Sequence, residues 1–290
     1  MTDLFIGVVS HLGSRFSQNQ GENGLAFRLS QALEAMGCSV EVQINTVDAW
    51  SPELLPITPE VGRASAMASL DFEQTWDRYL NKGNSGSFMA RLRHSGEFQA
   101  RRLKLGLAAR SSSFTDSSMT ATRRLLNIEL SHLHLWREGL ASGALWILIL
   151  EDDGGCTDLE DLARGLTALM DSQGKAWQYA NISASFDATQ LGVRHLLTPS
   201  ELRWEGGSIR TIQSASRPIT NTVCAILFRS SLVTEIIAQF ELLPISPVIP
   251  IDFKLNAALM SLFANGFLGA GDCLQVEPAP IVQMSMHEMG

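Results

Sequence analysis

The sequence predicts an α/β protein with a mostly parallel central sheet. Three observations carry that prediction. The chain opens with strand, loop, helix and strand in that order, a second apolar run at 144–150 ends in three adjacent acids, and strand-like runs keep alternating with helical ones thereafter. Residues 4–10, LFIGVVS, are apolar and partly β-branched, which suits a strand buried on both faces. The polar loop HLGSRFSQNQ follows. In 21–37, GENGLAFRLSQALEAMG, Leu25, Leu29, Ala32 or Leu33, and Met36 recur at helical spacing up to Gly37, a natural stop. CSVEVQINTVD then alternates like a strand.

Pro52, Pro56 and Pro59 break the next stretch, and a helix is expected near 60–80. NKGNSGS at 81–87 reads as a loop, and the Arg-rich segment after it, with ARSSSFTDSS, reads as mobile. From 120 to 142 periodicity returns: Leu126, Leu130, Leu133 and Leu140 form one apolar stripe, with Glu129, His132 and Trp136 on another face. The strand ALWILIL runs into the acids. A helix at about 157–170 opens with Thr157 as N-cap and Glu160 three residues later, a capping box. Strands are expected near 176–183 and 222–228, and helices at 230–240 and 252–265.

A chain of 290 residues with 45% hydrophobic and 18% charged residues can bury a sizeable core. A net charge of −8 argues against nucleic acid as the main partner. The charge is uneven: residues 91–124 hold eight Lys or Arg against two acids, and 151–171 hold seven acids against Arg164. A basic arm and an acidic stretch suit an anionic ligand held partly through a metal, or are two solvated faces. The four cysteines form no CxxC pair, so reduced and mostly buried thiols are expected. The opening MTDLFIGVVSH has no basic region ahead of a long apolar core, and no apolar run approaches the ~20 residues of a membrane span. A cytoplasmic protein with no transmembrane segment is the expectation.

The stretch WILILEDDGG poses the chemical question. Three adjacent carboxylates repel one another unless a cation or a set of donors faces them. Alternation puts Glu151 and Asp153 on one side and Asp152 on the other. A strand end is where open α/β sheets bind ligands, hard oxygen donors suit Mg²⁺ or Mn²⁺, and Gly154 and Gly155 let backbone approach a ligand. Capping of the next helix, or simple solvation, is the rival reading.

The block NIELSHLHLWREGLASGALWILILEDDGG, with Ser131-His132, Trp136 and Leu150-Glu151-Asp152-Asp153, resembles the central block of the family 25 glycosyltransferases, the lipopolysaccharide-type galactosyl and glucosyl transferases. NTVCAILFRSSLVTEII, PIDFKLNAAL and VEPAPIVQMS are similar to later blocks of that family in the same order, so the likeness spans about residues 120–285. The first third matches only as strand, loop, helix and strand, without the family's Asn-Leu-x-Arg-x-x-Arg opening. The resemblance implies a GT-A-like, Rossmann-type nucleotide-binding sandwich in a single domain, 1–290, with 81–118 as a lid or acceptor-binding insertion. It also implies a nucleotide-sugar donor, a UDP-sugar foremost, a carbohydrate or glycolipid acceptor, and inverting transfer of a hexose assisted by Mn²⁺ or Mg²⁺.

Within that frame Asp153 is the metal ligand, and Glu151 or Asp152 contacts the ribose or makes a second contact. Asp252 is the catalytic base or an N-cap, or both. His132 hydrogen-bonds the diphosphate or donor sugar, or is a core histidine, and His287 is a second metal ligand or a solvent-exposed terminal residue. Ser10, His11 and Arg15 after the first strand, and Asp48 after the second, are donor-binding candidates. Their rivals are surface placement for Arg15 and ordinary turn chemistry for Asp48. Arg101, Arg102 and Lys104 engage an anionic acceptor or membrane surface, or line a solvated helix face, and Trp136, Trp146, Trp177 and Trp204 stack on sugars or are core. Dinucleotide, P-loop, serine-hydrolase and zinc-protease motifs are absent. A catalytically silent nucleotide- or glycan-binding protein and a Mg²⁺-dependent phosphotransferase are the competing functions.

Overall fold

The structure, a computed structural model, describes residues 2–287 apart from 12, 13, 15, 17–20, 22, 81–87, 173–176, 185–187 and 221, and without the side chains of 88–95, 286 and 287. Strand β1 (Leu4–Val9), helix α1 (Leu25–Ala35) and β2 (Val40–Asn45) open the chain. Three long helices follow: α2 (Pro59–Leu80), α3 (Phe88–Ala108) and α4 (Ser112–Ala141). Next come β3 (Trp146–Glu151), β4 (Gly154–Cys156), α5 (Leu159–Asp171), β5 (Tyr179–Asn181) and β6 (Ser183–Ala184). Then β7 (Leu197–Pro199), β8 (Thr211–Ala215), β9 (Ala225–Arg229) and α6 (Ser230–Leu242) lead to α7 (Ile251–Ala264), β10 (Cys273–Glu277), β11 (Ile281–Gln283) and α8 (Met284–His287). The chain divides into two compact units, Met1–Asp48 with Ser131–Leu242 and Leu255–Gly290, and Ala49–Leu130 with Leu243–Lys254.

The first unit is α/β. Its eight-stranded sheet has the order β2-β1-β3-β9-β5-β10-β8-β7. β1 pairs in parallel with β2 and β3, and β10 with β5, while β9 and β8 run antiparallel to both of their neighbours. The sheet is therefore mixed, with all its strands but β8 and β9 pointing one way. A second sheet, β4-β11-β6, follows the acids. β1 is buried throughout. Its alternate residues Leu4, Ile6 and Val8 pack with Leu29 and Leu33 of α1 and with Leu162 and Leu166 of α5. The opposite face takes the C-terminal half of α4: a Cβ on Gly139 would stand 3.0 Å from Phe5, and one on Gly7 3.1 Å from the Leu135 Cβ. Glycine at both places lets helix and strand approach closely.

The second unit is helical. Ile57, Leu126 and Val248 form its buried centre, with Trp50, Leu55, Met119 and Leu130 around them. Pro59 is the first residue of α2 instead of a break, because the missing N–H is one the helix leaves unpaired anyway. The segment expected to be mobile is helical. Residues 88–111 contain no proline and are rich in Leu, Ala and Arg, and Ser111 caps α4 by accepting the Phe114 N–H at 3.2 Å. The loop expected at 81–87 lies outside the described residues.

Other expectations shift in register. In α1 the buried face is Ala26, Leu29, Ser30 and Leu33, and Met36 is exposed at the C-cap, ahead of Gly37 at φ 91°. The cap of α5 is Asp158, one residue after Thr157; its carboxylate accepts the Asp161 N–H at 2.9 Å. Glu160 pairs with Arg164 instead. In α4 the face carrying Glu129, His132 and Trp136 is more deeply buried than Leu130, Leu133 and Leu140 of the apolar stripe. Trp136, Trp146, Trp177 and Trp204 are all core, so none is exposed to stack on a sugar. Among the described residues no helix is long and apolar enough to cross a membrane.

Candidate functional site

Parallel pairing brings the ends of the first three strands level. Val9 lies opposite Asn45 of β2 on one side and Glu151 of β3 on the other. The segments leaving β1 and β2, with Ser10, His11 and Asp48, therefore start at the same sheet end as the three acids. His11 and Asp48 are exposed there. Ser10 is buried, and its hydroxyl donates to Asp152 Oδ2 at 2.6 Å, which fixes the middle acid against the end of β1. The Asp152 N–H continues the ladder to the Val9 carbonyl at 3.0 Å. Arg15 lies outside the described residues.

Glu151 and Asp153 turn the other way, towards a residue the sequence reading did not select. Antiparallel β9 begins at this end of the sheet, and Cys224 precedes its first residue. The Cys224 carbonyl accepts the Glu151 N–H at 2.8 Å, and its Sγ lies 3.9 Å from Asp153 Oδ1. One carboxylate oxygen each of Glu151 and Asp153 and the Cys224 sulfur all lie within 4.8 Å of one another. Burial, reinforced by the Glu151 and Asp153 charges, pushes the Cys224 thiol well above its usual range. The Ser285 hydroxyl donates to Asp153 Oδ2, and the Met284 N–H to the Asp153 carbonyl at 2.9 Å. Among the described residues no lysine or arginine pairs with Glu151 or Asp153.

The two glycines face the chain itself. A Cβ on Gly155 would sit 3.0 Å from the Met284 side chain, and one on Gly154 3.4 Å from Cys224 Sγ. Glycine at both positions thus lets β4 lie close to the chain's own β11–α8 segment and to Cys224.

His132 comes to the acids from α4. It is 1% exposed, its Nε2 is 3.8 Å from Glu151 Oε1, and neither ring nitrogen has a hydrogen-bond partner. Its ring leans on Trp136 at 5.6 Å. A core histidine satisfied by a backbone carbonyl is therefore not what the structure contains, since a buried imidazole normally finds partners. His134 is exposed, beside Gln43 and Glu138.

Asp252 belongs to the helical unit. It is the second residue of α7, a half-buried first-turn acid, and the Pro250 carbonyl starts the helix by accepting the Lys254 N–H at 3.0 Å. The N-cap reading of Asp252 does not hold, although an acid in the first turn still complements the helix dipole. Arg101 pairs with Glu73 at 2.7 Å and Arg102 with Asp71 at 3.4 Å. The His287 side chain lies outside the described residues.

The two carboxylates and the thiol can hold a metal ion, and the unpartnered His132 imidazole stands beside Glu151. Cys224 and Ser285 lie within blocks that carry the family resemblance, but nothing in those blocks singled them out: strand pairing brings each to the acids, Cys224 ahead of β9 and Ser285 after β11. No protein-family model matches this chain, and no curated protein matches it either.

Proposed function

We propose that this protein is a cytoplasmic glycosyltransferase of GT-A type, similar to family 25, that moves a hexose from a nucleotide-sugar, a UDP-sugar foremost, to a carbohydrate or glycolipid hydroxyl with inversion. One observation supports this reading above the others: the acid triplet stands at the common end of β1, β2 and β3, with Asp152 fixed by Ser10 and with Glu151 and Asp153 on the opposite side. That division gives the acids separate work. Asp152, held in one orientation, is suited to accept from ribose hydroxyls. Glu151 and Asp153 would hold Mn²⁺ or Mg²⁺, which neutralises the charge a leaving diphosphate gathers. Asp252 is the carboxylate assigned to take the proton of the attacking acceptor hydroxyl.

The test is a thermal-shift titration with UDP, GDP and CMP, each with and without Mn²⁺, on wild type and Asp153→Ala. A ligand bound only by the folded state raises the melting temperature. The expected result is a Mn²⁺-dependent rise with UDP that Asp153→Ala loses. No rise with any nucleotide would end the proposal. Nucleotide binding without turnover of any donor would favour a silent binder, whereas turnover that Asp252→Asn abolishes while nucleotide binding stays intact would sink that alternative.

A further inference from the structure

We propose that Cys224 is itself a ligand of the cation site, which makes that site selective for a borderline-soft ion such as Zn²⁺ or Co²⁺ over Mg²⁺. The inference rests on the reading that the acidic strand end binds a cation, and it does not require sugar transfer. The Cys224 sulfur and one oxygen each of Glu151 and Asp153 already lie within 4.8 Å of one another. Ligand atoms around a tetrahedral zinc stand about 3.3–3.8 Å apart, given metal–ligand bonds of about 2.0–2.3 Å. The three donors, now within 4.8 Å of one another, therefore need to close by about 1.5 Å at most. Their backbones hold them for it: Glu151 and Cys224 share a ladder hydrogen bond, and Asp153 is tied to Met284.

An independent feature points to the same ligand. His132 is 1% exposed with both ring nitrogens unpartnered, and its Nε2 faces the Glu151 carboxylate from 3.8 Å. Carboxylates that ligate metals are themselves usually hydrogen-bonded. Once Glu151 turns one oxygen to the cation, the other can accept from His132, and the imidazole gains the partner it lacks. His132 is then a positioning residue, acting through Glu151. As the sulfur–metal bond forms, the thiol proton leaves to solvent, so binding weakens as pH falls. A thiolate is a soft donor that Mg²⁺ disfavours and Zn²⁺ and Co²⁺ accept.

The experiment is a Co²⁺ titration of the untagged full chain followed by absorbance, with Zn²⁺ and Mg²⁺ affinities from calorimetry. Wild type should develop a sulfur-to-cobalt charge-transfer band and bind Zn²⁺ more tightly than Mg²⁺. Cys224→Ser should lose the band and most of the Zn²⁺ preference. His132→Ala should keep the band and weaken Zn²⁺ by about 10–100-fold, as other supporting partners of metal ligands do. If circular dichroism shows Cys224→Ser unfolded, Asp153→Asn keeps the sulfur and should still lose the band. Co²⁺ binding without the band in wild type would overturn the inference, and so would a band that survives in both Cys224→Ser and Asp153→Asn. UDP titrations with Mn²⁺ on the same samples separate the two readings. Nucleotide binding without the band sinks the thiolate ligand alone, and the band without nucleotide binding sinks the glycosyltransferase alone.

Discussion

The sheet unit and the helical unit each bury an ion pair, and the pairs differ in how fully their carboxylates are satisfied. In the sheet unit Asp161 Oδ1 accepts from the Trp204 indole at 3.1 Å and from the Ser208 N–H at 2.9 Å, and Oδ2 accepts from Arg210 at 2.6 Å. Burial pushes this carboxyl up, but the Ser208 N–H, Arg210 and Trp204 outweigh it and hold it below the usual range. In the helical unit Glu129 Oε1 meets Lys254 while Oε2 has no partner. There burial prevails over the Lys254 charge, and the carboxyl sits above its usual range. A buried charge is stabilising only when its remaining lone pairs are also used. The first pair meets that condition and the second does not.

The largest effect is expected at Asp161. Asp161→Ala leaves the Arg210 guanidinium, whose side chain is 8% exposed, without its carboxylate and strips the Trp204 and Ser208 donors. A loss of about 3–5 kcal/mol should appear in the urea midpoint. A loss under 1 kcal/mol would mean the network contributes nothing beyond solvation.

Glycines sharpen the contrast. A Cβ on Gly165 would lie 2.0 Å from the Trp204 ring, whereas one on Gly62 in the helical unit meets the Ser118 hydroxyl at 2.7 Å. The serine hydroxyl can rotate away, leaving tight contacts of 3.1 and 3.2 Å with the Ser118–Met119 backbone, whereas the indole cannot. Gly165→Ala should cost about 1–3 kcal/mol through overpacking, and more than Gly62→Ala. The reverse order in thermal denaturation would contradict the idea that the Asp161 network is rigid.

The two carboxyls should respond to pH with opposite signs. Asp161 has a depressed folded-state pKa, so its stabilisation is present above the unfolded value of about 3.9 and lost as pH falls through the folded value. Glu129 has a raised one, so its contribution is present below the unfolded value of about 4.3 and lost as pH rises through the folded value. Asp161→Asn should flatten stability against pH on the acid side, and Glu129→Gln should flatten the decline above pH about 4. Identical pH profiles for the two variants would remove the distinction.

Smaller effects remain. Asp158→Ala should cost about 1 kcal/mol through the lost cap of α5, and Thr157→Ala almost none. Smallest of all, Glu129→Leu with Lys254→Met should be neutral or stabilising, because replacing both members removes two desolvated charges together and leaves neither without its partner. A loss above about 2 kcal/mol in that double variant would place Glu129 among well-satisfied groups.

Much of the fold was legible in the residues, for local reasons. The apolar run of β1, the strand that carries the acids, and helices α1, α5, α6 and α7 follow from periodicity and end signals that act within a few residues. α3 was missed because arginines and serines were read as loop, although Arg is a good helix former and Ser111 a good cap. The cap of α5 was displaced by one position because Thr157 with Glu160 and Asp158 with Asp161 satisfy the same pattern. Short strands such as β7 and β8 carry no alternation of their own and exist through pairing, β8 with β10 and β7 with β8.

The acids of the candidate site, and the alternation that sends Asp152 one way and its neighbours the other, were already in the chain, because side-chain direction along a strand is a local property. What faces them was not. Cys224 reaches Glu151 because β9 runs antiparallel beside β3, Ser10 reaches Asp152 because β1 and β3 end level, and Lys254 meets Glu129 across 125 residues of chain. Each of those meetings depends on strand order, direction and helix docking. These are fixed by burial of the whole core, and no short window of sequence encodes them.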